Sequence, residues 1–108
     1  MKTAMTIGLL AGVFALAVPM VHAANGEAIA RANNCMTCHG VTDRRIMGPS
    51  FSEIAARYKS HKGKSVEAAL AEKIRKGGSG EWGPMAMPAQ PQLTDADARV
   101  IVKWILGR

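Results

Sequence analysis

In four stretches of the chain apolar residues return every three or four positions, the period of a helix with one buried face. Nowhere do apolar and polar residues alternate over the length of a strand. The first stretch, "NGEAIARANNCMTCH", predicts a helix that opens on Asn25 as N-cap and leads into the two cysteines. Glu27 lies in its first turn, where a negative charge suits the helix dipole. In "GPSFSEIAARY", Ser50 precedes Glu53 by three, the spacing of a capping box, and Phe51, Ile54, Ala55 and Tyr58 then share a face. "SVEAALAEKIRKGG" predicts a helix from Ser65, with Val66, Leu70 and Ile74 in one stripe and a stop at Gly77-Gly78 behind basic residues. "LTDADARVIVKWILGR" predicts a last helix capped by Thr94, with Ala98, Ile101, Val102 and Ile105 facing inward. The fold class is therefore all-α, with four to five short helices. Between the last two helices lies "GGSGEWGPMAMPAQPQ", residues 77–92, broken by glycines and prolines. A loop so long in a small domain is functional or disordered. Trp82, Met85 and Met87 are residues that pack, and they argue for a built loop.

A fifth apolar stretch is of another kind. "MKTAMTIGLLAGVFALAVPMVHA" places one charge, Lys2, before an unbroken apolar run from Ile7 to Val18, then Pro19 and a small-residue exit at Ala23. That is the layout of a secretory signal peptide. The run is about a dozen residues, short of the roughly 20 that span a bilayer, so no stable membrane insertion is expected. Cleavage after Ala23 makes residues 1–23 the signal peptide and leaves 24–108 as the working domain. Those 85 residues hold all but one of the 14 Lys/Arg and all 8 Asp/Glu, a net charge of +5. Nucleic acid is excluded as the natural partner of an exported protein. The charge reads as a basic face for acidic proteins or an anionic membrane surface, or simply as solubility.

A domain of that size is near the lower limit for a self-sufficient core, and such domains recruit disulfides, a metal or a cofactor. Both cysteines of the chain lie in "CMTCH", residues 35–39. A disulfide there would close a minute loop and constrain the unfolded chain little. Structural zinc needs four ligands, and beyond Cys35, Cys38 and His39 only the distant His61 remains in the mature chain. A redox dithiol belongs beside a βαβ unit, and no strand is predicted. Cys-x-x-Cys-His is the attachment signal of c-type haem. Residues three apart share a face, so both thiols can add to the vinyl groups on one porphyrin edge, and His39 then reaches the iron. Behind an export signal, in a helical domain with a Met-bearing loop, haem c is the reading.

Iron held by one histidine has a sixth position, and a methionine there raises the reduction potential. Met36 is tied to the His side and Met47 follows His39 by only eight residues. Met85 and Met87, far along the chain in the rigid loop, remain as near equals, with Pro88 restricting the backbone at Met87.

The segments "CMTCH", "MGPSF", "KIRKGGSGEWGP", "MAMPAQ" and "LTDADARVIVKWIL" together resemble a small bacterial class I cytochrome c of the c-551/c-552 type, over essentially the whole mature chain. The resemblance implies the class I cytochrome c fold around one covalent haem, with His39 and Met87 as axial ligands and Met85 as a packing residue. It implies that the Pro49 carbonyl accepts the imidazole N–H, and that Trp82 hydrogen-bonds a haem propionate, with Lys73 or Arg75 neutralising the same group. Gln90 stands where relatives often carry an amide near the Met sulfur. Ala30 stands where some carry a larger side chain. The implied role is one-electron transfer in the periplasm by a non-enzymatic monomer. The donor would be a quinol-oxidising cytochrome complex and the acceptor a terminal oxidase or nitrite reductase. A haem peroxidase or haem sensor domain is the rival reading. The first needs the Met ligand removed, and the second normally comes in a longer chain.

Overall fold

The structure, a computed structural model, describes residues 8–16 and 25–108. Four helices follow the predicted order: α1 (Gly26–Ala32), α2 (Phe51–Arg57), α3 (Lys64–Lys76) and α4 (Asp95–Leu106), with a 3-10 turn at Cys35–Thr37. The described residues hold no strand, only isolated bridges joining His39 to Arg45 and Gly78 to Met87. The middle of the expected leader, residues 8–16, has no regular structure and stands clear of the helices, with Leu10 98% exposed. The rest of the leader and the cut after Ala23 lie outside the described residues. Among the described residues no helix is long and apolar enough to cross a membrane.

The caps form where the side chains call for them. Asn25 accepts the Ala28 N–H at 2.7 Å, Thr94 accepts the Asp97 N–H at 3.1 Å, and Ser50 and Glu53 close a reciprocal box. Two expectations need correction. The first helix does not run on into the cysteines. It stops after Ala32, where the Asn33 amide turns back to bond the Ile29 carbonyl and Asn34 takes a left-handed conformation, φ 59°. Asparagine tolerates that region better than other residues with a Cβ. α3 begins at Lys64, so Ser65 lies inside it and caps nothing; Gly63 is the N-cap, without a side-chain bond.

α4 packs against α1, α2 and α3, and its Ile101 and Val102 are each 1% exposed. The α1–α4 crossing is close because Gly26 has no side chain: a Cβ there would lie 2.6 Å from the Val100 carbonyl oxygen. Ala30 is fully buried in the same core. Phe51, the first residue of α2, meets the Trp104 ring edge-on at 5.0 Å. α3 turns out of its helix at Gly77, φ 69°, and hands the chain to the 78–92 strap. The strap is fastened by paired bonds between Gly78 and Met87 (3.0 and 2.8 Å), and by the Gln90 N–H on the Ile74 carbonyl.

Candidate functional site

The turn after α1 does the positioning that a continuous helix was expected to do. The Cys35 carbonyl accepts both the Cys38 N–H and, at 3.0 Å, the His39 N–H, which folds the two thiols and the imidazole into one tight unit. Both thiols are half-buried. Burial pushes the Cys35 thiol above its ordinary value, against a backbone hydrogen bond that favours the thiolate, with a small further rise from Cys38. At neutral pH the Cys35 sulfur therefore keeps its proton. Cys38 Sγ lies 3.7 Å from Met47 Sδ.

His39 is locked in place. Its Nδ1 sits 2.7 Å from the Pro49 carbonyl oxygen. A carbonyl only accepts, so Nδ1 carries the proton and Nε2 keeps its lone pair for a metal. Phe51 stacks on the ring at 5.3 Å with planes 19° apart. Gly48 passes so near that a Cβ would come within 2.9 Å of Cε1. The connection from His39 to α2 is itself held by Gly48 N–H to Cys38 O and Phe51 N–H to Gly40 O.

These groups face a cavity of ≈ 220 Å³. Its other walls are aliphatic, from Ile54, Leu70, Ile74, Ile101, Val102 and Ile105, and the strap from Gly78 to Pro88 closes it. The four methionines separate by position. Met36 is absent from the lining and packs on the core. Met47 and Met85 reach the lining but are 58% and 63% exposed. Met87 lines the cavity, is half-buried, and packs against the core.

Of the remaining sequence-predicted residues, Trp82 and Lys73 line the cavity. Arg75 does not: its Nε donates to the Leu93 carbonyl at 3.1 Å, which ties α3 to the start of α4. Gln90 also stays out of the lining. Its amide oxygen accepts from Gln92 Nε2 at 2.6 Å, and its backbone N–H anchors the strap on the Ile74 carbonyl. Sequence reasoning missed Phe51 on the imidazole and the grip of Arg45 and Arg57 on Trp82. Phe51 was legible only as a core position, and the arginines only as surface charge. Among the described residues no three or more His, Cys, Asp or Glu converge on one metal-holding point.

Two thiols on one turn, an imidazole with a free Nε2, a thioether and an aliphatic wall are a donor set that fits haem c. The comparisons with known proteins agree. Residues 23–108 match the family model for cytochrome c. The chain is 38% identical to cytochrome c-551 of Azotobacter vinelandii, over 75% of this chain and 94% of that protein. It is 40% identical to cytochrome c-552 of Hydrogenobacter thermophilus, over 75% and 79%. The crystal structure of Nitrosomonas europaea cytochrome c552 superposes with a TM-score of 0.67 at 39% identity, covering 74% of this chain and 95% of that one. The fold, the paired cysteines ahead of a histidine and these relatives together establish that the chain belongs to the cytochrome c family, electron carriers with one covalently bound haem c.

Proposed function

We propose that the mature protein, residues 24–108, carries single electrons in the periplasm, with its haem joined to Cys35 and Cys38 and its iron held by His39 and Met87. The observation that carries the reading is the 2.7 Å bond from His39 to Pro49, on a cavity whose strap brings in Met87. When bound, haem supplies a reversible one-electron couple at iron. The chain does the rest. The Pro49 carbonyl fixes the imidazole tautomer and makes Nε2 more basic. The Met87 thioether raises the potential. The aliphatic wall keeps water away, and the Lys73 ammonium stands at the cavity for a carboxylate of the prosthetic group, with Trp82 as a second donor.

With His39 and Met87 both committed, no position is left for a peroxide or a sensed gas, which disfavours the peroxidase and sensor readings and supports a non-enzymatic carrier. A family match that starts at residue 23 supports a domain boundary at the predicted cut. The donor and acceptor are larger redox proteins, a quinol-oxidising cytochrome complex and a terminal oxidase or nitrite reductase, met by a monomer. Denaturing mass spectrometry of the protein from the periplasm tests the core of this. One haem is expected on a chain that starts at Ala24, and none on Cys35→Ala, Cys38→Ala. A haem-free wild-type chain with a Cys35–Cys38 disulfide overturns it.

A further inference from the structure

The outer part of the strap, residues 79–86, is a flap with little to hold it down. Its roots are pinned by the paired Gly78–Met87 bonds, and its tip is turned by the Gly80 N–H on the Gly83 carbonyl. Gly78, Gly80 and Gly83 all have positive φ (130°, 108° and 121°), so the flap's path depends on backbone conformations that side chains oppose. Among the described residues, the hydrogen bonds between residues 79–86 and the rest of the protein come from two arginines alone. Arg57, the last residue of α2, donates from Nη1 to the Glu81 carbonyl at 3.0 Å, and its guanidinium lies 4.2 Å over the Trp82 ring. Arg45 donates from Nη2 to the Trp82 carbonyl at 2.9 Å, with its guanidinium 6.0 Å from the same ring. Neither arginine has a carboxylate partner among the described residues. The Arg45 backbone pairs with His39.

We propose that Arg57 and Arg45 form a clamp that latches the flap shut and so keeps Met87 in the cavity. They are positioning residues for the sixth ligand, acting through Trp82 and the Gly78–Met87 root. The planar guanidinium suits the task, because one group can stack on the indole and direct an N–H at a neighbouring carbonyl. Since Arg45 is also joined to His39, the clamp ties the segment that carries the imidazole to the segment that carries the thioether. The inference rests on Met87 as ligand for its effect on the iron, and on the flap contacts alone for its effect on opening.

An exogenous ligand reaches the sixth position only when the flap opens, so its apparent affinity scales with the open fraction. Imidazole titration of the ferric holoprotein is therefore the first readout. Losing one stacked, hydrogen-bonded guanidinium is expected to tighten apparent imidazole binding about five- to tenfold in Arg57→Gln, and more in the Arg45→Gln, Arg57→Gln double variant. Amide hydrogen exchange is the second. The Gly78 and Met87 amides should speed up by the same factor while those of Ile101 and Val102 in α4 hold their wild-type rates. Arg57→Lys keeps the charge and should recover only part of the protection. Unchanged Gly78 and Met87 exchange in the double variant overturns the clamp. So does equal acceleration throughout α4, which would mean general destabilisation, or full recovery in Arg57→Lys, which would reduce the role to charge. Met87→Ala separates the two readings. If it binds imidazole no more tightly than wild type, Met87 as ligand fails, while the exchange result still decides whether the arginines latch the flap.

Discussion

Met85 and Met87 are two residues apart and both reach the cavity lining, but they differ in exposure and in how their backbone is held. Met87 sits at the pinned root of the strap, half-buried against the core, while Met85 rides on the flap, 63% exposed. A ligand must hold its sulfur in place through every turnover, and only the root position is held by backbone bonds on both sides. Met87→Ala is expected to abolish the weak far-red sulfur-to-iron absorption band, lower the reduction potential and open the iron to cyanide. Met85→Ala should leave the band intact and shift stability by no more than about 0.5 kcal/mol, as for exposed sites generally. Absorption spectra and thermal melts of the two ferric variants check this; exchanged behaviour would move the ligand to Met85. From the residues alone the pair stood nearly level. A loop has no period, so nothing local says which of its side chains turns inward.

At the scale of elements the strap works because α3 ends where it does. Gly77 has φ 69°, and a Cβ there would lie 2.7 Å from the Ala89 nitrogen and 2.9 Å from the Pro88 carbonyl carbon. Gly77→Ala therefore meets two penalties: roughly 1–3 kcal/mol for a side chain at φ 69°, ψ −161°, a region all but confined to glycine, and displacement of the strap backbone just beyond Met87. Gly80 isolates the first, since its φ is 108° but nothing lies within 4 Å of a Cβ. Thermal denaturation should find Gly77→Ala the more destabilised, and the far-red band should weaken in that variant alone. Equal losses would leave the strap contact without energetic weight. These elements also show what can be read locally. The Ser50–Glu53 box, the Thr94 cap and the Ile101–Ile105 face were legible because each signal lies within one or two turns of its effect. The end of α1 was missed because Asn33 and Asn34 are neutral in a helical pattern until their side chains and backbone are seen to leave it. The Arg45–Trp82 and Arg57–Glu81 bonds join residues 37 and 24 apart, and no local pattern carries contacts of that range.

Across the whole molecule the positive charge sorts by whether a cation is already engaged. Arg45 is held by Trp82, and Lys76 pairs with Glu72 one turn away, whose carboxyl that lysine holds below its usual range. Lys59 and Lys62 in the α2–α3 connection and Lys64 at the start of α3 are exposed and have no carboxylate partner among the described residues. No Asp or Glu stands between Glu53 and Glu67 to dilute them. Beside the cavity the surface is instead apolar, with Ile46, Met47 and Met85 each at least half exposed. The two regions suit different stages of a transient encounter. We expect the unpaired lysines to attract an acidic redox partner over about 8–10 Å at physiological ionic strength, and the small apolar patch to make the contact through which an electron passes. Steering of this kind raises the association rate more than the affinity. Stopped-flow electron transfer to the native acceptor should therefore slow steeply as salt rises. The Lys59→Gln, Lys62→Gln, Lys64→Gln variant should start slower and show a flatter dependence, meeting the wild type at high salt. Met47→Ser should slow the reaction by a similar factor at every ionic strength, because shedding water from an apolar contact does not depend on screening. A wild-type rate that is flat or rises with salt would take the lysines out of the encounter and leave the patch around Met47 as the docking surface by itself.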